Sequence, residues 1–149
     1  MLKVGDQFPA FSLLNQDGET VTNEAMAGSV SVIYFYPKDD TSGCTAEACE
    51  FQEQLSDFPG KNVFGVSPDP VKSHRKFADK YNLEFTLLAD TETALCEACG
   101  VWAEKSMYGK KYMGVLRTTF VVDSNGVVTH VFEKVKPQGH AAEIRAAIG

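Results

Sequence analysis

The segment Val30-Ser-Val-Ile-Tyr-Phe-Tyr36 is followed by Pro37-Lys-Asp-Asp-Thr-Ser-Gly43 and then Cys44, and it is the most informative part of the sequence about the architecture. Its first seven residues are β-branched, aromatic and almost continuously apolar, which predicts a strand buried on both faces. Pro37 ends that strand, and the polar residues after it predict a turn into a helix that begins at Cys44 and ends near Leu55. The cysteine therefore stands where a short loop joins a buried strand to a helix.

Further strands and helices alternate along the chain after this unit. The sequence next predicts a strand over Asn62–Ser67 and a helix that reaches Tyr81. Asp69 is the expected N-cap of this helix, Pro70 lies in its first turn and Asn82 stands at its end. A strand over Thr86–Ala89 and a short helix over Thr93–Gly100 follow. This alternation is typical of a sheet with parallel strands that is covered by helices.

The two ends of the chain differ from its middle. The first 29 residues are expected to form an irregular or hairpin-like entry with a turn at Asn15–Gly18. Near the other end, the sequence predicts a hairpin of the strands Thr118–Asp123 and Val127–Phe132, followed by a closing helix over His140–Ile148. Together these elements predict an α/β fold, a mixed central sheet flanked by helices as in the thioredoxin fold, in one domain over residues 1–149.

Charge and hydropathy exclude several classes of protein. Fourteen Lys and Arg against 20 Asp and Glu give a net charge of -6, which repels nucleic acid and anionic membrane surfaces. The N-terminal residues lack the apolar segment of a secretory signal, and no apolar run approaches the roughly 20 residues that span a bilayer. We expect a cytoplasmic protein.

Cys44 is the candidate nucleophile among the four cysteines at positions 44, 49, 96 and 99. A free cysteine with a pKa near 8.5 is only about 3% ionised at pH 7, yet the thiolate is the reactive form. In the first turn of a helix, the sulfur lies near unpaired backbone N–H groups and the positive end of the helix dipole, which favour the anion.

Nearby acidic residues oppose an anion at Cys44 unless they point away from it. These residues are Asp39, Asp40 and Glu47. A cation from elsewhere in the fold is therefore expected, and Arg117 is the candidate because a guanidinium stays charged and offers a planar fork of donors.

Thr41 and Pro37 flank the same turn. The hydroxyl of Thr41, three residues before Cys44, is suited to capping the helix or to hydrogen bonding an oxygen of a substrate. Pro37 ends the strand and is also placed to shield the sulfur from bulk water.

The residues around Cys44 resemble the peroxiredoxins. Pro37-Lys-Asp-Asp-Thr-Ser-Gly-Cys44 matches their Pro-x-x-x-Thr-x-x-Cys motif, and Gly43-Cys-Thr-Ala-Glu-Ala-Cys-Glu-Phe51 is similar to the Q-type, or bacterioferritin-comigratory-protein, branch. The likeness continues through Gly100–Lys111 and Arg117–Asp123 and so covers nearly the whole chain. Ser42 departs from the proline often found there in this branch, but the four motif positions are intact.

The resemblance implies a thiol-dependent peroxidase that reduces hydrogen peroxide and organic hydroperoxides without a cofactor or metal. It assigns the peroxidatic role to Cys44, orientation and polarisation of the peroxide to Thr41 and Arg117, the shape of the pocket to Pro37, and the holding of Arg117 to Glu47. It also implies thioredoxin or a similar dithiol as the reductant. A monomer is favoured over a weak dimer.

The same resemblance gives Cys49, five residues after Cys44, the role of the resolving cysteine. On a continuous helix, Cα atoms five residues apart are roughly 8.5 Å apart, beyond the disulfide range of about 4.4 to 6.8 Å. A Cys44–Cys49 disulfide therefore requires the helix to unwind locally in each catalytic cycle.

Two other functions remain open from the cysteines. Cys96-Glu-Ala-Cys99 suits a thioredoxin-like disulfide reductase, although Thr91–Leu95 separates it from the preceding strand, and all four cysteines together suit a noncatalytic zinc-binding domain. Inert buried thiols are the third interpretation of Cys96 and Cys99.

The remaining candidates carry no functional pattern. His74, His130 and His140 lack ligand spacing and are expected at the surface or in strands, and Trp102 is expected in the core. No glycine-rich phosphate loop is present, so no nucleotide or flavin is implied.

Overall fold

The computed structural model describes residues 1–54 and 61–148. The strands are β1 (Ser12–Asn15), β2 (Thr20–Thr22), β3 (Val30–Phe35), β4 (Lys61–Ser67), β5 (Thr86–Ala89), β6 (Trp102–Met107), β7 (Lys110–Val115), β8 (Thr118–Val122) and β9 (Val128–Glu133). The helices are α1 (Ser42–Glu53), α2 (Val71–Tyr81), α3 (Ala94–Ala98) and α4 (His140–Ile148), and a 3-10 turn covers Asn23–Met26. Over the described ranges, none of these helices is long and apolar enough to cross a membrane.

Seven strands form one mixed sheet in the order β2-β1-β5-β4-β3-β8-β9. The pairs β3–β4 and β4–β5 are parallel, whereas β8 runs antiparallel to β3. In that antiparallel register Phe35, the last residue of β3, pairs with Thr118, the first residue of β8. Arg117 and the loop that leads from β3 to Cys44 consequently lie at the same edge of the sheet.

The near-continuous apolar sequence of β3 is explained by core on both of its faces. Val32 and Tyr34 belong to a cluster with residues of α1, α2 and α4, while Ile33 and Phe35 face a second cluster with α3 and the chain around β6 and β7. Phe51 of α1 is fully buried, and its ring stacks on Tyr34 with centroids 4.6 Å apart. Burial of this aromatic ring ties the far end of α1 to the sheet.

The structure confirms the predicted α/β architecture and corrects several boundaries. Strand β3 ends at Phe35 rather than at Tyr36, and α1 begins at Ser42 rather than at Cys44. The reason is that Thr41 has extended backbone angles and acts as the N-cap, so the helix gains two residues and Cys44 remains in its first turn. The predicted end of this helix at Leu55 lies outside the described residues.

The second predicted helix is confirmed, but its N-cap is not. Pro70, not Asp69, occupies the N-cap of α2, because the Asp69 carboxylate instead accepts hydrogen bonds from the Asp39 backbone N–H and the Ser67 hydroxyl. Asn82 ends the helix with a left-handed backbone, φ 54° and ψ 47°, as predicted.

The ends of the remaining elements shift by a few residues. The third helix is shorter than predicted, with Thr93 as its N-cap and Cys99 as its C-cap. The C-terminal strands cover Thr118–Val122 and Val128–Glu133, while the entry hairpin and the last helix agree with prediction.

The β6–β7 hairpin was not predicted. It forms a separate two-stranded sheet, anchored at its base by the hydrogen bond from the Leu116 N–H to the Val101 carbonyl at 2.7 Å. Its turn, Tyr108-Gly109, has positive φ at both residues, 51° and 78°, as tight hairpin turns require. The strands are largely exposed on both faces, so they lack the apolar alternation by which strands are usually found.

Candidate active site

Arg117 joins Cys44 to Glu47. Its Nη2 donates to the Cys44 sulfur at 3.0 Å, and its Nη1 donates to Glu47 Oε1 at 3.2 Å. Cys44 and Glu47 are three residues apart on α1 and therefore share one face of the helix. Both are about 1% exposed, against 20% for the arginine side chain, so the charges interact with little screening by water. The guanidinium is placed to stabilise a thiolate at Cys44.

Two of the three nearby acidic residues point away from Cys44 into other interactions. Asp39 accepts hydrogen bonds from the Tyr36 and Ser73 hydroxyls and contacts His74. Asp40 accepts from Lys80 at 2.8 Å and from the Tyr81 hydroxyl at 2.6 Å, and these bonds lower its pKa. Asp39 and Asp40 thus point away from Cys44, as an anion at this cysteine requires.

Glu47, the third acidic residue, stays close to the sulfur but is bonded to the arginine. Burial raises the pKa of its carboxyl to about 7, although the charge and hydrogen bond of Arg117 oppose that rise. Near neutral pH, the Glu47 carboxyl is therefore present in both protonation states.

Thr41 and Pro37 frame the loop before Cys44. Thr41 caps α1 through its backbone carbonyl, which accepts from the Thr45 N–H, but the predicted side-chain cap is absent: its hydroxyl donates to the Lys38 carbonyl at 2.9 Å. The exposed hydroxyl oxygen keeps its capacity to accept a further hydrogen bond. Pro37 is half-buried between β3 and this loop.

Cys49 is half-buried on the intact helix α1 and, like Cys44, is a free thiol. Burial raises its pKa, and the charge of Glu53 raises it further. The folded helix thus keeps the two cysteines apart, and Arg117 donates to the sulfur of Cys44.

Cys96 and Cys99 have the surroundings of structural thiols. Both are completely buried, and burial raises the pKa of Cys96 far above its usual range and that of Cys99 to about 12. The Asp90 carboxylate accepts from the backbone N–H groups of Leu95 and Cys96, which fixes α3 in place. A reductase nucleophile needs an accessible cysteine of lowered pKa, so this pair does not suit that role.

The zinc hypothesis finds no support in the arrangement of the thiols. Within the two described ranges, the side chains grouped closely enough to bind a metal ion are Asp39, Asp69 and His74, with no cysteine among them. These three groups already hydrogen bond to protein partners.

The prediction that the histidines lie at the surface or in strands is wrong for two of the three. His74 of α2 is fully buried between the Asp39 carboxylate and the Leu88 carbonyl, and His140 opens α4, buried against the Thr119 hydroxyl. Each has polar partners for its ring nitrogens, which is what makes burial tolerable. His130 does lie in a strand, β9, and Trp102 is half-buried against the core.

Lys105 of β6 is a charged group near the site that the sequence did not reveal. Burial lowers its pKa, as does the charge of Arg117, whereas Cys44 acts in the opposite direction. Its aliphatic chain lies over Gly114, where an added Cβ would be 3.1 Å from Cδ. Because the hairpin was not predicted, nothing in the sequence indicated that this lysine interacts electrostatically with Arg117 and Cys44.

A cysteine in the first turn of a helix, contacted by an arginine that precedes the adjoining strand of a mixed sheet, is the arrangement expected of a thiol peroxidase with a thioredoxin-like fold. Known proteins with similar sequences belong to the same class. The model of the AhpC/TSA family matches residues 4–131. A putative peroxiredoxin bcp from Coxiella burnetii is 46% identical over 145 residues, which is 96% of each chain.

Solved structures show the same relationship. A PrxQ variant from Xylella fastidiosa superposes with a TM-score of 0.94 at 32% identity, covering 99% of this chain and 96% of that one. A Xanthomonas campestris bacterioferritin comigratory protein, trapped as an intermediate/ligand complex and studied for its alkyl peroxide reduction activity, gives a TM-score of 0.88 at 43% identity over 93% of this chain and 89% of that one. The chain belongs to the AhpC/TSA family and is a thiol peroxidase, which confirms the predicted family and the thioredoxin-like fold.

Replacing Gly43 by alanine tests the arginine contact. A Cβ at Gly43 would lie 2.9 Å from Arg117 Nη2 and 3.2 Å from Pro137 Cγ, so the guanidinium must move away from the sulfur. Alanine favours a helix over glycine, so α1 itself should not weaken. We expect Gly43→Ala to lower the second-order rate constant for oxidation by hydrogen peroxide by about tenfold or more, measured by stopped flow.

Ser42→Ala is the matched control, since Ser42 is the exposed neighbouring residue of the same helix turn. Its rate constant should stay within about twofold of the wild-type value. A Gly43→Ala protein that reacts as fast as the wild type would show that the Arg117 position does not matter.

The carboxyl of Glu47 should make folding stability depend on pH. Its pKa is about 7 in the folded protein against 4.5 for an unperturbed glutamate, so the folded state binds this proton more tightly than the unfolded state. Stability from this group is complete below pH 4.5 and is lost as pH rises toward and through 7. Between pH 4.5 and 8, the wild type should lose on the order of 2–3 kcal/mol relative to Glu47→Gln, measured by urea unfolding. Glu53→Gln, at the exposed end of the same helix, should follow the wild type; a parallel pH dependence of wild type and Glu47→Gln would contradict this account.

Proposed function

We propose that Cys44 is the peroxidatic cysteine and that it reduces hydrogen peroxide and organic hydroperoxides in a cycle completed by Cys49. The observation that carries this proposal is the 3.0 Å contact from Arg117 to the Cys44 sulfur, in the first turn of α1. Cysteines 96 and 99 have buried surroundings that disfavour their thiolates.

Arg117 and Thr41 are proposed to position the peroxide. As the thiolate attacks, negative charge moves from sulfur to the leaving oxygen, and the fork of donors on Arg117 can follow that charge. Thr41 offers an exposed hydroxyl at the start of the same helix, suited to accept a hydrogen bond from the peroxide O–H. Pro37 completes the wall of the loop and limits access of water.

The first step transfers one oxygen atom to sulfur. The Cys44 thiolate attacks the nearer peroxide oxygen, an S–O bond forms, and the O–O bond breaks. The leaving hydroxide or alkoxide takes a proton and departs as water or an alcohol. Cys44 becomes a sulfenic acid, so the protein is oxidised by two electrons and the peroxide is reduced by two.

Cys49 resolves the sulfenic acid. Its thiol attacks the Cys44 sulfur, a disulfide forms and water is released. This step requires the first turns of α1 to come apart, because helical geometry holds the two Cα atoms beyond bonding range. The distal part of the helix has separate anchors that can persist: Phe51 stacks on Tyr34, and Glu50 accepts from the Gly139 N–H at 2.8 Å.

A dithiol protein of the thioredoxin type is proposed to reopen the disulfide, and the enzyme is proposed to act as a monomer in the cytoplasm. An exchangeable disulfide needs an external reductant, since nothing in the proposed cycle regenerates the two thiols. Alkyl hydroperoxides are included among the substrates because the Xanthomonas campestris relative was studied for alkyl peroxide reduction.

Cys49→Ser isolates the first half of the cycle. After one equivalent of hydrogen peroxide, this variant should hold a Cys44 sulfenic acid that dimedone labels stoichiometrically, and thioredoxin-supported turnover should fall by at least about tenfold. Cys96→Ser and Cys99→Ser serve as controls and should form the Cys44–Cys49 disulfide as the wild type does. Full turnover by Cys49→Ser would remove Cys49 from the mechanism.

Local unwinding of α1 can be followed by hydrogen exchange. In the disulfide form, backbone amides of residues 45–49 should exchange at least about tenfold faster than in the reduced form, since their helical hydrogen bonds are lost. The amides of α2 provide the internal reference and should not change. Equal protection of α1 in both forms, with the Cys44–Cys49 disulfide verified by mass spectrometry, would disprove the unwinding step.

A further inference from the structure

The β6–β7 hairpin carries an unusual concentration of exposed apolar side chains. Of the seven large hydrophobic residues that are exposed in the described part of the chain, four lie here: Met107 (56%), Tyr108 (98%), Tyr112 (43%) and Met113 (50%). We define these four residues, with Lys110 and Lys111, as the hairpin patch. Clustering of this kind marks interaction surfaces, whereas single exposed hydrophobic residues are ordinary.

The base of the hairpin that carries the patch adjoins the active site. The chain passes from β7 through Leu116 directly to Arg117, and Lys105, which interacts electrostatically with Arg117 and Cys44, pairs across the hairpin with Tyr112. Residues paired in this way lie on the same face of the ribbon. That face also carries Met107 and Lys110 and runs from the neighbourhood of Cys44 out to the exposed turn, whereas Lys111 and Met113 lie on the other face of the ribbon.

The charge of the hairpin is opposite to that of the whole protein. Residues 102–115 contain three lysines and one glutamate, whereas the chain has a net charge of -6. Lys111 reaches Glu104 at 3.6 Å, while Lys110 is exposed at the turn. The surface combines aromatic and methionine side chains with positive charge, which favours an acidic partner with an apolar contact area.

The size and shape of the hairpin indicate a macromolecule rather than a small hydroperoxide. Strands of six residues extend about 20 Å, and the hairpin forms a sheet of its own apart from the seven-stranded one. A shallow concavity of about 420 Å³ lies at its outer end, lined by Met107, Tyr108, Lys110, Lys111 and Tyr112. Small ligands bury most of their surface in enclosed sites, whereas this concavity is open to solvent.

A second copy of the chain is disfavoured on this surface. Two hairpin patches that met about a twofold axis would gather four lysines, Lys110 and Lys111 of each copy, in one interface. The proposed cycle, by contrast, requires a protein dithiol to reach the disulfide formed at this edge of the sheet.

We propose that the hairpin patch is the docking surface for the protein dithiol reductant, a partner with acidic side chains and an apolar rim around its attacking cysteine. This inference rests on the proposed function, since it concerns the step that reopens the Cys44–Cys49 disulfide. The docked thiolate attacks one sulfur of that disulfide, forms a mixed disulfide and releases the other sulfur as a thiolate. The second thiol of the partner then displaces the enzyme, so two electrons pass to Cys44 and Cys49 and the partner leaves as a disulfide.

The test compares reductants in a double variant, Tyr108→Ser with Tyr112→Ser, using thioredoxin with its reductase and NADPH or, separately, dithiothreitol. Truncating two exposed aromatic anchors should lower kcat/KM for thioredoxin by about tenfold or more. Turnover with dithiothreitol should not follow that loss, because a small dithiol needs no docking surface. Leu14→Ser is the matched control: Leu14 is 42% exposed, like Tyr112 at 43%, but lies on β1, separated from β3 by two strands.

Charge provides a second, independent variant. Reversing both lysines, Lys110→Glu with Lys111→Glu, should weaken thioredoxin turnover at low salt, and the difference from the wild type should shrink as sodium chloride is added. Both effects together support docking of an acidic partner.

Several results would overturn the proposal. Two of them are kinetic: a thioredoxin kcat/KM of the double tyrosine variant within twofold of the wild-type value, or an equal loss of turnover with dithiothreitol. A third is a wild-type dimer that the variant converts to a monomer in sedimentation. A fourth is binding of the wild type to anionic vesicles that the variant abolishes while thioredoxin turnover persists. A wild-type enzyme that turns over with dithiothreitol but not with thioredoxin would refute the proposed reductant itself and this surface with it.

Discussion

The guanidinium of Arg117 is the interaction on which the rest of the site depends, because it serves two buried acidic groups of α1 at once. One nitrogen contacts the Cys44 sulfur and another contacts Glu47. Leaving either group ionised and unpaired in this buried position would be costly. The fold delivers the arginine through the antiparallel pairing of β3 with β8, which brings Thr118 opposite Phe35, and through a glycine at position 43 that leaves the guanidinium room.

The same helix that places Cys44 beside Arg117 also separates it from Cys49. An intact α1 places Cys44 in its first turn beside Arg117, whereas a disulfide with Cys49 requires that turn to open. The two demands are met if the start of the helix is weakly held and its end is firmly held. Thr41 makes no side-chain cap at the start, while Phe51 is fully buried at the other end against Tyr34. At the start, the contacts of Arg117 with Cys44 and Glu47 must break before α1 can open from its N-terminus.

The central part of the fold and of the site was predictable from local patterns in the sequence. The apolar run of β3, the proline after it and the residues around Cys44 each act over a few positions, so the strand, loop and helix were predictable. Arg117 was predicted from charge, because three nearby acidic residues oppose an anion at Cys44 and a cation was needed to offset them. What the pattern could not show depends on distant packing: His74 is buried because it meets Asp39 and Leu88, which lie on other elements. The β6–β7 hairpin escaped prediction because both of its faces are largely exposed, and Lys105 escaped with it.

The most direct test of the central claim is peptide mass mapping of the wild-type protein after reduction and one equivalent of hydrogen peroxide. We expect a disulfide that links Cys44 to Cys49, with Cys96 and Cys99 still reduced because both are buried in the core. A protein in which Cys44 remains reduced while another cysteine is oxidised would contradict it.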